Sequence, residues 1–323
     1  MIAVLEKEVM VRKNGQPRPF HEAVLLDETI ECLRPAPGKV FFDATIGGGG
    51  HARRLLAAGS ELVASDQDPD AIAEVVTGLA EFGSRLHLIR ANFVEAHRHF
   101  SALGVEAFDG ILIDLGISSH QLDTPFRGFS FQYEGPLDMR MGPNIAQRAA
   151  DLVNFATEQK LVQIFRELGE EPAAKRIAAR LVQKRAEKLF ETTTDLAKVV
   201  EEVVPRRGPR HPATRVFQAL RIAVNRELEV LQEALPILSG WLKPGGRLAV
   251  ITFHSLEDRM VKQYFRTVSQ EWIDRPEWPE PRRNPAFKFR LLTARPIEPS
   301  AEETQRNPRA RSAKLRAIER IQL

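Results

Sequence analysis

The chain has 323 residues, 43% of them hydrophobic, a formal net charge of +3 and one cysteine, Cys32. That size and apolar content support one large domain, or one domain carrying an insertion. The charge balance excludes a polycationic tail protein, and one cysteine excludes an internal disulfide. No apolar run approaches the length of a membrane span, and the first 20 residues mix charges with Pro and Gly rather than forming an apolar leader. The expected location is the cytoplasm, with no membrane partner.

In chain order, Phe20–Arg34 carries Val24, Leu25, Ile30 and Leu33 at helical spacing and is stopped by Pro35 and Pro37. Val40–Asp66 then reads as a strand ending in Asp43, a glycine run at Gly47–Gly50, a helix over Ala52–Ala58, and a second strand ending in Asp66. This is the opening unit of a nucleotide-binding α/β sheet. The glycines let backbone N–H groups approach a ligand, and the next helix offers its partly positive end. Asp66 can accept hydrogen bonds from a ribose or, alternatively, cap a turn. Asp68 and Pro69 start another helix properly. Leu86–Ile89 and Phe108–Asp114 read as further buried strands.

The fifth strand, Arg247–Thr252, comes only about 130 residues later, far beyond an ordinary connection. The intervening apolar residues fall at helical spacing: Leu161, Ile164, Phe165 and Leu168; Ile177, Leu181 and Val182; then Leu196, Val199, Val200 and Val203 behind a Thr194 cap. The expected organisation is therefore a sheet domain from 1–120 and 213–323, with a mostly helical insertion over 121–212. A long returning helix is expected from Thr214 to Trp241, kinked at Pro236. Ser269–Pro285 reads as a loop, and Phe287–Leu292 and Ser312–Ile318 as two final strands.

In open α/β sheets ligands sit outside the carboxyl ends of the strands. That rule gathers Gly47–His51, Asp66, Phe93, Asp114 and His254-Ser255 along one rim. Phe93 can pack on a purine or belong to the core. His51, near a helix N-terminus, suits a neutral hydrogen-bonding role. Asp114 can orient an amine or cap the next turn. Phe129, Phe131 and Tyr133 can stack on a base or anchor the insertion. No metal-binding spacing and no G-x-S-x-G elbow occur. Two basic clusters suit a polyanionic substrate: Pro205–Arg215, with Arg206, Arg207, Arg210 and Arg215, and the eleven Lys or Arg against four Glu from Arg282 to Arg320.

The segments Asp43–His51, Asp66-Gln67-Asp68-Pro69, Asp109–Gln121, Arg127–Phe131, Gly135–Met141, His211–Arg215, Phe253–Arg259 and Asn307–Ser312 resemble the bacterial ribosomal RNA small-subunit methyltransferase H family over nearly the whole chain. The resemblance implies a class I methyltransferase fold, Rossmann-like and mostly parallel. It implies S-adenosylmethionine as cofactor and N4 of a cytidine in the decoding region of 16S rRNA as target. The implied cofactor contacts are Gly49, Gly50, His51, Asp66, Phe93, Asp114 and Gln121. Ala52 stands where the family often has Ser, which removes one hydroxyl contact, and Asp114–Ser118 lacks the Pro-Pro-aromatic clamp of many amino-methyltransferases. The amine acceptor is expected to be Asp114, Ser118 or His254. RNA contacts are expected at Arg127, Phe129, Phe131, the Arg206–Arg215 cluster, Arg309 and Arg311, with the rRNA presented in the small subunit or its precursor, and a homodimer left open. Two rivals stand beside this: an NAD-dependent oxidoreductase, from the formal glycine match, and a non-catalytic RNA-binding ribosome-assembly factor.

Overall fold

The computed structural model describes residues 23–206, 208 and 211–322. Nine strands are present among them: β1 Val40–Asp43, β2 Glu61–Asp66, β3 Leu86–Arg90, β4 Phe108–Asp114, β5 Leu242–Thr252, β6 Trp272–Ile273, β7 Arg282–Arg283, β8 Phe289–Leu291 and β9 Lys314–Arg320. Seven form one sheet in the order β3-β2-β1-β4-β5-β9-β8. β1 to β5 run parallel, and β9 and β8 close one edge antiparallel. The order turns back at β1, so the β1 and β4 ends flank a crevice, where such sheets bind ligands.

Both sheet faces are covered, which explains the near-continuous apolar strands. Side chains alternate across the pleat. Phe42, Ile111 and Val250 enter a core with Leu235 and Phe265 on one face. Their neighbours Phe41, Leu112 and Ile251 enter a second core with Leu25 and Leu55 on the other.

A third core belongs to the helices between β4 and β5. It is built from Leu161, Phe165, Ile177, Leu181, Leu196 and Val200, and it continues through Phe217, Leu220 and Val224. The Thr214–Asn225 helix thus packs with the inserted helices, and this apolar unit runs past residue 212. Thr192, rather than Thr194, caps the helix Thr193–Val203 by accepting from the Asp195 N–H.

The returning segment differs from expectation. It forms two helices, Thr214–Asn225 and Glu227–Gly240, broken at Arg226 in the left-handed region (φ 51°, ψ 39°), while Pro236 lies inside the second. The break lets Arg221 meet Glu227 at 2.8 Å. Six residues apart, the two would point well away from each other on an uninterrupted helix. Ser269–Pro285 is likewise not all loop, because β6 and β7 pair within it.

Candidate functional site

A cavity of about 1130 Å³, counting its open mouth, lies at the carboxyl ends of β1, β2, β4 and β5. Gly47, Gly50, His51, Asp66, Phe93, Asp114, Ser118 and Gln121 all line it, whereas Gly49, His254 and Ser255, also expected on this rim, do not. Gly49 precedes the Gly50–Ala57 helix with φ 76°, a left-handed conformation that favours glycine, and a Cβ on Gly50 would come within 2.8 Å of the Ala23 Cβ.

Asp66 is fastened to this turn. Its Oδ2 accepts the Gly47 N–H at 3.0 Å and its Oδ1 the Asp68 N–H at 2.9 Å. Burial pushes its carboxyl up to about 6, although these backbone donors pull the other way. Asp68 caps its helix through Oδ1, and its Oδ2 accepts from Gln121 Nε2 at 2.6 Å and Arg127 Nη1 at 2.8 Å. The wall beside Asp66 is therefore a hydrogen-bonded unit reaching across from the sheet to the inserted segment.

Asp114 ends β4, and its backbone N–H donates to Thr45 Oγ1 at 2.7 Å. Its Oδ1 is buried without a hydrogen-bond partner. Burial, reinforced by the charges of Asp43 and Glu257, holds its carboxyl well above the usual carboxylate range. Its Oδ2 lies 3.8 Å from His51 Nδ1, while His51 Nε2 donates to the Val24 carbonyl at 3.1 Å. That bond puts a proton on Nε2.

Two expected amine acceptors have other work. Ser118 and Gln121 form a capping box: Ser118 Oγ accepts the Gln121 N–H at 3.1 Å and Gln121 Oε1 accepts the Ser118 N–H at 3.0 Å. A neutral hydroxyl spent on a helix cap is a poor base. His254 caps the Ser255–Ser269 helix, its ring turned onto Glu257 with Nε2 3.0 Å from Oε1, and it is not among the residues lining the cavity.

Sequence reasoning missed the remaining wall. Asn225 Oδ1 accepts the Met141 N–H, and its Nδ2 donates to the Met139 and Arg221 carbonyls, each at 2.8 Å. Glu227 lines the cavity with its carboxylate gripped by Arg221, where burial raises its pKa and the Arg221 charge opposes that rise. Glu257 is 2% exposed; burial raises its pKa, but His254 and Arg221 outweigh that and leave it below its ordinary value. Glu227, His254 and Glu257 each place a ligand-type atom within 4.8 Å of the others, yet the Arg221 guanidinium already supplies the positive charge facing Glu227. Only the i,i+3 pair His254-Glu257 carries a capping signal in sequence; Glu227 carries none.

The expected RNA contacts divide. Arg127 is turned inward onto Asp68 and the Met141 carbonyl, and Phe129 is 6% exposed in the helical core; neither side chain faces solvent as an RNA contact requires. Phe131 is stacked on His211 at 4.3 Å, which uses one ring face. Arg309 is paired with Asp123. Arg206 and Arg311 are exposed, and Arg215 is half-buried beside a second cavity with Arg176 and His211. Arg207 and Arg210 lie outside the described residues.

The MraW methylase family matches residues 18–321. A protein of Syntrophotalea carbinolica named ribosomal RNA small subunit methyltransferase H is 50% identical over 309 residues, covering 93% of this chain and 98% of that one. One of the same name from Carboxydothermus hydrogenoformans is 47% identical over 304 residues, with the same coverage. Among solved structures, a putative methyltransferase from Streptococcus mutans in complex with SAH is 12% identical over 94% of this chain and 98% of that chain, with a TM-score of 0.42.

Proposed function

The chain belongs to the MraW methylase family, and on that premise we propose that it transfers a methyl group from S-adenosylmethionine to N4 of a cytidine in the decoding region of 16S rRNA, presented in the small ribosomal subunit or its precursor. The observation that carries this reading is one cavity joining two different carboxylates. Asp66 stands fixed beside a glycine turn, and Asp114 has a buried oxygen without a partner.

The residues fit the cofactor. Asp66 suits a ribose diol, Phe93 a purine face, and the unpartnered Asp114 Oδ1 suits an ammonium donor, which would also favour the ionised carboxylate. Gly49, Gly50 and His51 shape the turn, and Gln121 holds the wall through Asp68. When bound, the cofactor supplies an electrophilic sulfonium methyl, so no covalent enzyme intermediate is needed. The protein's share is to hold the two centres close and in line and to exclude water. The target base must be unpaired or flipped to enter. Asp114 belongs on this reading to cofactor binding, because it adjoins His51 on the glycine-turn wall and its unpartnered oxygen suits the ammonium. Arg206 and Arg311 are the exposed choices for phosphate contacts.

Calorimetric titration tests the premise. S-adenosylmethionine should bind and NAD should not; tight NAD binding would restore the oxidoreductase reading. Release of S-adenosylhomocysteine in the presence of small-subunit RNA separates an enzyme from a non-catalytic assembly factor.

A further inference from the structure

We propose that Glu227 is the specificity residue of this site: its carboxylate accepts a hydrogen bond from the exocyclic amine of the target base. The inference rests on the cytidine reading above.

Of the carboxylates lining the cavity, Asp66, Asp68 and Glu257 are committed to protein donors, and Asp114 is assigned to the cofactor. Asp66 and Asp68 accept backbone and side-chain donors of the glycine-turn wall. Asp114, whose Oδ1 has no partner, adjoins His51 on that same wall and faces the cofactor's side of the cavity. Glu257 Oε2 accepts the Phe253 N–H at 2.8 Å and the His254 N–H at 3.2 Å, and its Oε1 faces the His254 ring. Glu227 is held differently. Arg221 Nε donates to Oε1 at 2.8 Å and Nη2 to Oε2 at 2.9 Å.

This grip fixes the plane of the carboxylate, since the guanidinium is a rigid fork, and it leaves each oxygen a free lone pair. Both side chains are nearly enclosed, 13% and 11% exposed, so a hydrogen bond made there is shielded from water. Glu227 enters the cavity from the corner at Arg226, where the left-handed backbone turns the returning helix.

With both oxygens already accepting from the Arg221 guanidinium, the Glu227 carboxylate presents acceptor lone pairs to a ligand. It suits the N4 amine of cytosine and repels the carbonyl oxygen at the same position of uracil. Arg221 is then a positioning residue, acting through Glu227.

The test uses the full-length protein with S-adenosylhomocysteine present and a fluorescent oligoribonucleotide of the decoding segment carrying C or U at the target position. The wild type should bind the C form about tenfold more tightly. Glu227→Ala should bring that ratio near one while leaving S-adenosylhomocysteine affinity unchanged. Arg221→Lys, which keeps the charge but loosens the fork, should give an intermediate ratio. Equal weakening of both RNAs by Glu227→Ala, with the ratio retained, would show a merely structural role and overturn the proposal. Should that variant fail to fold, an unchanged ratio in Arg221→Lys would overturn it instead. A wild-type ratio near one contradicts the cytidine reading itself, so the two failures are distinct.

Discussion

The two halves of the cavity are assembled in different ways. The glycine-turn half comes from short contiguous pieces, Asp43–His51, Asp66–Asp68 and Asp114–Gln121, each at the end of a strand. The other half is gathered from Met141, Asn225, Glu227, Phe253 and Glu257, drawn from the insertion, its returning helices and the end of β5. A cofactor shared by many enzymes can be met by a local strand-turn-helix unit. A particular target base needs groups set by tertiary packing. The first half is held mainly by backbone donors, the second mainly by side chains, and that difference can be probed.

The largest effect is expected at Asp66. Asp66→Ala removes a charged acceptor and should weaken S-adenosylmethionine binding by about a hundredfold in calorimetry. A loss below threefold would break the assignment of this half to the cofactor. The wild-type pH profile sharpens the same point. Because burial lifts the Asp66 carboxyl to about 6, affinity should rise with pH through about 6 and level off above it.

Next comes Asn225, which ties the Met139–Met141 segment to the Thr214–Asn225 helix. Asn225→Ala strands backbone groups and should cost about 2–3 kcal/mol of stability, seen as a melting temperature lower by roughly 6 °C. Methyl transfer should fall while affinity for S-adenosylhomocysteine stays near wild type. A parallel fall in both would mean that the halves are not separable.

A smaller effect is expected from Asp43, 1% exposed under the glycine turn, whose carboxyl burial pushes up to about 7. A folded pKa above the unfolded value means stability is fully present below about pH 4 and is lost as pH rises through about 7. Asp43→Asn should therefore gain on the wild type as pH goes from 5 to 8, the melting-temperature difference widening by roughly 4 °C. A constant difference would contradict the ionisation account.

The smallest effect concerns the outer surface. Arg206→Ala and Arg311→Ala should each lower the salt dependence of RNA binding by about one phosphate contact and weaken it only several-fold. An unchanged slope would remove that residue from the RNA path.

The same contrast explains what the sequence disclosed. β1 and β4 were legible to the residue, because an apolar run bounded by Asp and Gly has few other readings. Asp68 as a helix cap was equally plain from Asp-Pro. The break at Arg226 was not, since Asn225-Arg226-Glu227 contains neither Gly nor Pro. It goes with the Arg221–Glu227 pair and the Asn225 bonds to the Met139–Met141 segment, contacts that no local pattern announces. Arg127 was expected at the RNA, and Phe129 could be read either as a base stacker or as an anchor of the insertion. The structure spends them on Asp68 and on the helical core. Ser118 lines the cavity and His254 does not, and in both cases the capping partners, Gln121 and Glu257, took the side chains.

The most direct measurement is nucleoside mass spectrometry of 16S rRNA after unmethylated small subunits are incubated with the protein and labelled S-adenosylmethionine. The expected result is one labelled nucleoside, N4-methylated cytidine, mapping to the decoding region, with no label entering subunits already methylated there. Label on a different base or a different atom, or no transfer at all, would contradict it.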